Sequence, residues 1–350
     1  MGAFRSRRFP PGGRRADTIL ANASGPRAGR IPPMDVEELL DACSDTVHGL
    51  PRPRWDEVRE RIDRARDGET ERDGAWSQTI HAWIRRLAAA MQPPATVTHS
   101  EQFTLVACAG AEDTETLFAF FETALAKIQV SLPSLVDTSR LPHLLVVLFE
   151  TWDGYYDYVD LQRRGEESEN EIAASGGMFL RRPVPHYVSR RDDLGITKTT
   201  AAHELTHFCL SQLELPLWLD EGIARTLEAV VEQGPALSLD ASRLQQHRDL
   251  WDVATIQQFW SGRAWTDPVS SELAYELARM AVCALVGEPN VFVAFVRHAD
   301  WRDAGQSAFQ RTCGTGLEGL ITQFFGPGSW APDSRRWDLG AGDLDAEPSP

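Results

Sequence analysis

The segment TTAAHELTHFCLSQLELPLWLDEGIARTLEAVV, residues 199–231, decides how this chain is read. It holds His-Glu-x-x-His over residues 203–207. On an α-helix, residues four apart lie one above the other on the same face, so a helix here lets both imidazoles approach one ion. The apolar pattern supports the helix independently. Ala201, Leu205, Phe208 and Cys209 fall at i, i+4, i+7 and i+8, a core stripe beside the histidines. Pro216 prevents continuation far past Leu213. A second helix then opens at Leu217, with Leu219, Ile223, Leu227 and Val230 as its buried stripe and Glu221 off that stripe. Two helices joined by a short proline turn can bring Glu221 to the histidine pair. That matters because a catalytic zinc site usually has three protein ligands and a fourth position left to water, which two histidines alone do not satisfy.

His-Glu-Leu-Thr-His followed by Leu-Pro-Leu-Trp-Leu-Asp-Glu-Gly-Ile-Ala resembles the gluzincin metallopeptidases, most of all the peptidase MA-like group. The likeness runs from about Leu144 to Val231 and continues more weakly to Phe325. It implies an α+β fold: a zincin-like core with a small mixed sheet, an active-site helix carrying the motif, and a mainly helical C-terminal part. It further implies one Zn2+ per chain on His203, His207 and Glu221, Glu204 as general base, and a peptide or protein substrate. In gluzincins a phenol from a later helix often stabilises the tetrahedral intermediate, which makes Tyr275 a candidate. Substrates of related folds add to a sheet edge beside the active helix, which makes Gly177, Met178 and Phe179 the candidate substrate edge. Two departures narrow the expectation. The spacer between His207 and Glu221 is shorter than in thermolysin-like or aminopeptidase-type members. Gly176-Gly-Met-Phe-Leu carries no carboxylate where aminopeptidase-type members hold the substrate amine. The rival reading is a non-catalytic zinc protein in which the same ligands serve folding and the helices bind a partner.

Around this centre composition sets off a basic leader over 1–33, an N-terminal helical region over 34–95 and a tail over 326–350, and the resemblance implies a gluzincin-like domain over 96–325. The leader and the Gly/Pro/Asp-rich tail are expected to be disordered. Helical spacing marks Asp35–Leu50, Arg54–Asp67 and Ala75–Met91, the last with a stripe of Trp76, Ile80, Trp83, Ile84, Leu87 and Met91. Strand-like Phe103–Cys108, a helix over Asp113–Val130 and strand-like His143–Phe149 give a β-α-β order. Residues 163–177 read as a polar surface loop. Met178–Leu180 and Tyr187–Ser189 read as two short edge strands.

The net charge of −16 is uneven: residues 1–30 carry seven Arg and one Asp, so the remainder holds 28 basic against 50 acidic residues, or −22. Such a body repels nucleic acid and anionic membrane, and neither is expected as a partner. No apolar run approaches the ~20 residues that span a bilayer. The leader, broken by Pro10, Pro11, Gly12 and Gly13, lacks the apolar core of a secretory signal, so a cytoplasmic location is expected. Five scattered cysteines without a C-x-x-C pair fit small buried hydrophobes in a reducing compartment. Gly314-Thr-Gly-Leu-Glu-Gly fits a nucleotide-loop pattern but follows a helical segment, and reads as a turn. The remaining histidines lack ligand spacing and read as surface or hydrogen-bonded side chains.

Overall fold

A computed structural model describes residues 35–66, 68–136, 143–163, 176–181, 183–191, 196–234, 237 and 239–337. The leader over 1–33, most of the loop over 163–177 and the last thirteen residues of the tail lie outside these. The architecture is α+β and mostly helical. Five strands form one mixed sheet: β3 (Thr96–His99), β4 (Phe103–Ala107), β5 (Leu144–Phe149), β6 (Gly177–Leu180) and β7 (His186–Arg190). Their spatial order is β3-β4-β5-β7-β6. The central β4, β5 and β7 run parallel, and each edge strand pairs antiparallel with its neighbour.

Strand alternation sorts the core into two halves. Leu144, Val146 and Leu148 of β5 face the helical side with α4 (Ala111–Ser131) and α6 (Ile196–Leu210). Leu145, Val147 and Phe149 face the other side, covered by α2 (Trp55–Ala65), α3 (Glu69–Ala90) and α5 (Trp152–Arg163). Because both faces are buried, β5 reads as one continuous apolar run rather than alternating. The N-terminal helices therefore supply half of the sheet's cover. The expected stripe of α3 lies there, with Trp83, Ile84, Leu87 and Met91 buried and Trp76 and Ile80 packed beside them.

The helix expected over Asp35–Leu50 is corrected. Helix α1 (Val36–Cys43) is shorter, and Ser44–Val47 (β1) pairs with Leu50–Pro53 (β2) in a hairpin. The turn residues His48 and Gly49 have φ of 51° and 80°, the two positive values a tight two-residue hairpin turn requires. The tail is corrected in part too, being docked as far as Trp337. Trp330 is buried, its carbonyl accepts from Trp260 Nε1 at 2.8 Å, and Gln257 bonds Ala331 and Asp333 at 2.8 Å each. The Gly314 segment is a turn between α12 (Gln306–Cys313) and α13 (Leu317–Phe325), where Gln306 accepts the Leu317 amide.

The C-terminal helices gather round α7 (Leu217–Val231), whose Trp218 lies among Phe259, Trp260 and Phe295. Gly222 lets α7 press on α10 (Ser271–Leu285): a Cβ there would sit 2.5 Å from the Ala278 carbonyl oxygen. All five cysteines are free, and Cys43 and Cys209 are buried. Among the described residues no helix is long and apolar enough to cross a membrane.

Candidate metal centre

Helix α6 carries the His-Glu-x-x-His segment under the sheet. Ala201, Ala202, Leu205, Phe208, Cys209 and Leu210 are buried, and the Phe208 ring meets Phe179 of the edge strand edge-on at 5.9 Å. After the turn at Pro216, α7 crosses α6 and buries Leu219, Ile223, Ala224, Leu227 and Val231. Val230, expected in that stripe, is 47% exposed. The stripe advances in steps of four from Leu219 and so ends on Val231 instead.

These two helices bring His203, His207 and Glu221 together, with one donor atom from each lying within 4.8 Å of the others. Among the described residues they are the one such group of His, Cys, Asp and Glu. His203 Nε2 lies 3.1 Å from His207 Nε2 and 3.2 Å from Glu221 Oε2. His207 Nε2 lies 3.6 Å from Glu221 Oε1. Donors on a tetrahedral zinc with bonds of about 2.0–2.2 Å stand about 3.4 Å apart, so the spacing fits. Glu221 Oε2 is buried and, for all its closeness to His203, makes no well-aligned hydrogen bond.

The electrostatics support the same fit. Burial works against protonating His203, but Glu221 and Glu228 outweigh it and raise its pKa to about 9. Burial opposes protonation of His207 as well, and Asp220 and Glu221 overcome it, so its pKa stands well above the usual value. Burial would push Glu221 up, yet the two imidazoles hold it far below the ordinary carboxylate range. The carboxylates thus demand positive charge between the rings. Two protonated rings serve badly at 3.1 Å, since each would aim an N–H at the other. A divalent cation receiving both lone pairs and a Glu221 oxygen meets the demand, and the N, N, O donor set suits zinc.

Two further carboxylates stand behind the rings. Asp220 Oδ2 is 3.2 Å from His207 Nδ1, and Glu228 Oε2 is 3.4 Å from His203 Nδ1. Both are ion-pair contacts off the line of a good hydrogen bond. They face the Nδ1 atoms and leave each Nε2 turned inward, the arrangement that orients metal-binding histidines. Each carboxylate is held by an arginine: Arg181 Nη2 donates to Asp220, and Arg225 Nη1 reaches Glu228 at 3.1 Å. Sequence reading missed all four. Glu228 carried a signal, lying two helical turns beyond Glu221; Arg181 carried none.

Glu204 lies beside the candidate ligands. Its Oε2 accepts the backbone N–H of Phe179 at 2.7 Å, joining it to β6. Burial raises its pKa, the two imidazoles pull it down, and the net shift is upward. Since Phe179 gives its N–H to Glu204 and not to β7, the Phe179↔Tyr187 pair is a non-hydrogen-bonded one, and the Phe179 backbone faces the free edge of the sheet. Gly177 lets the strand lie this close: a Cβ there would meet Tyr187 Oη at 2.8 Å and Thr200 Cγ2 at 2.9 Å. Met178 is half-buried on the opposite half of the core. Tyr275, on α10, packs its ring against the Arg225 guanidinium at 5.0 Å and edge-on to Trp265. Its ring thus neighbours Arg225, the arginine that holds Glu228. No protein-family model matches this chain, and no curated protein matches it.

Proposed function

We propose that this chain is a zinc-dependent peptidase of gluzincin type, with a zincin-like core, that cleaves peptide bonds in an extended substrate lying along β6. The observation that carries the reading is the Glu204–Phe179 hydrogen bond. It joins the free edge of the sheet to a carboxylate that neighbours the three candidate ligands without belonging to them.

His203, His207 and Glu221 would hold the ion, one per chain. When bound, it supplies Lewis-acid polarisation of the scissile carbonyl and lowers the pKa of water to about 7. Glu204 is the base. Its Oε2 is anchored by the Phe179 amide, so Oε1 takes the proton of the attacking water and passes it to the leaving amine. Its raised pKa brings it towards the working pH, where a general base is most effective. The carbonyl of Phe179, on the same side of the strand as its N–H, aligns an extended peptide by strand addition, with Gly177 and Met178 continuing the edge. Tyr275 is the assigned donor to the oxyanion, by resemblance, and the scheme does not require its hydroxyl. The acidic body supports a peptide or protein substrate over nucleic acid or membrane.

Glu204→Gln tests the proposal, because it removes the base while keeping size and helix propensity. Zinc should stay near one per chain and hydrolysis of casein or peptide libraries should fall at least ~10²-fold. Unchanged hydrolysis would assign the activity to another site. Loss of zinc would make Glu204 a ligand. Full zinc occupancy with no hydrolysis by either protein would favour a structural metal.

A further inference from the structure

We infer that Arg181 is a positioning residue that couples the edge strand β6 to the metal site through Asp220. The inference rests on reading His203, His207 and Glu221 as ligands. Arg181 directly follows Leu180, the last residue of β6. Its guanidinium donates to Asp220 Oδ2, 39 residues away in the chain, and that same oxygen faces His207 Nδ1 at 3.2 Å. Two residues earlier the strand makes its other tie, Phe179 N–H to Glu204 Oε2. The strand is thus fastened to α6 by its backbone and to α7 by a side chain, and both ties end on groups next to the ligands. Asp220 is buried and its Oδ1 has no hydrogen-bond partner, so the orientation of this carboxylate depends on what grips Oδ2. A guanidinium grips a carboxylate in a defined plane, which an ammonium does not.

The second arginine makes the contrast. Arg225 holds Glu228 within α7, three residues apart, and Glu228 faces His203. That pair orients a ring but connects no strand. Arg181 alone of the two arginines joins separate elements, so its loss, unlike that of Arg225, should remove one of the two ties between β6 and the groups next to the ion. Coupling of this kind is reciprocal: if the strand's position steadies the ion, the ion must steady the strand.

The test compares wild type, Arg181→Ala, Arg181→Lys and Arg225→Ala. Zinc affinity is read by chelator competition, and β6 order by amide exchange at residues 177–180 with and without zinc. In wild type, zinc should slow exchange along β6. In Arg181→Ala the affinity should fall about tenfold, the range for partners that orient a ligand, and the zinc-dependent slowing should shrink severalfold at residue 180, the end of β6 next to Arg181, while the Phe179 amide, still held by Glu204, keeps more of it. Arg181→Lys should recover part of both. Arg225→Ala should keep the slowing, whatever it does to affinity. Because Arg181 is 42% exposed, its removal should leave the circular dichroism unchanged. Unchanged affinity and exchange in Arg181→Ala would overturn the role of Arg181 and leave the ligand reading standing. A wild type that takes up no zinc would overturn the ligand reading and this inference with it.

Discussion

His186 and His203 lie inside the same protein, one on a strand of the sheet and the other on the helix beneath it, and their surroundings move them in opposite directions. His186 is buried on the α3 side of the sheet. Its Nδ1 donates to the Val184 carbonyl at 2.7 Å and its Nε2 accepts from Tyr158 Oη at 2.7 Å, with the Trp83 ring beside it. Burial lowers its pKa to about 4, only partly offset by the Val184 bond. His203 meets Glu221 and Glu228 instead and rises to about 9. Burial alone therefore does not mark a functional histidine. His186 has each nitrogen matched by one neutral partner and nothing further to recruit. His203 and His207 face an excess of carboxylate that a cation can balance. The remaining buried histidine, His247, stands between them: Trp251 Nε1 donates to its Nδ1 and its Nε2 donates to a single carboxylate, Glu276, yet burial outweighs that carboxylate and its pKa is lowered.

The contrast breaks most visibly at the candidate ligands. Glu221→Ala should lower zinc affinity by more than the ~10–100-fold that loss of an orienting partner costs, and reduce zinc content after dialysis, whereas His186→Asn should leave both unchanged. Full occupancy in Glu221→Ala would remove Glu221 from the ligand set.

A smaller effect separates the histidines by pH. The unfolded chain protonates His186 near pH 6.5 and the folded one only near 4. Its contribution is therefore present above pH 6.5 and lost as pH falls through about 4. The loss should approach about 3 kcal/mol in urea unfolding, and His186→Asn, which cannot ionise, should flatten the profile across that window. Metal-free protein should show the opposite sign for His203, with stability present below pH 6.5 and lost as pH rises through about 9. Equal slopes for wild type and His186→Asn would show that His186 is hydrated.

The smallest effect sharpens the comparison from the other side. Tyr158→Phe removes the donor to His186 Nε2 and leaves a buried acceptor unpaired, which should cost about 1–3 kcal/mol. Zinc stoichiometry should not change. A shift in zinc affinity in this variant would mean that the two faces of the sheet communicate.

Much of this molecule is legible in its sequence because the signals repeat locally. The i, i+4 pair His203 and His207, the apolar run of β5, the stripe of α3 and the turn at Gly314 all follow from geometry that recurs within a few residues. The hairpin over Ser44–Pro53 is hidden because Val47 and Leu50 continue, at helical spacing, the stripe of Leu39, Leu40 and Cys43, and His48-Gly49 is a weaker turn signal than Asn-Gly. The docked tail is hidden because Gly and Pro suggest freedom, while its anchor, Trp330, depends on the buried Gln257 and Trp260 some seventy residues earlier.

By itself the sequence determined which groups are candidates to bind a metal: two imidazoles one turn apart and a carboxylate on the next helix, with a further glutamate between the histidines. Only the tertiary structure decided how they are held. Gly222 sets the approach of α7 to α10, Gly177 lets β6 lie against α6, and Arg181 meets Asp220 because β6 is the edge strand beside both helices. The reason is range. Helix and strand periodicities act between near neighbours in the chain, whereas the orientation of a buried carboxylate is set by whichever distant element packs against it.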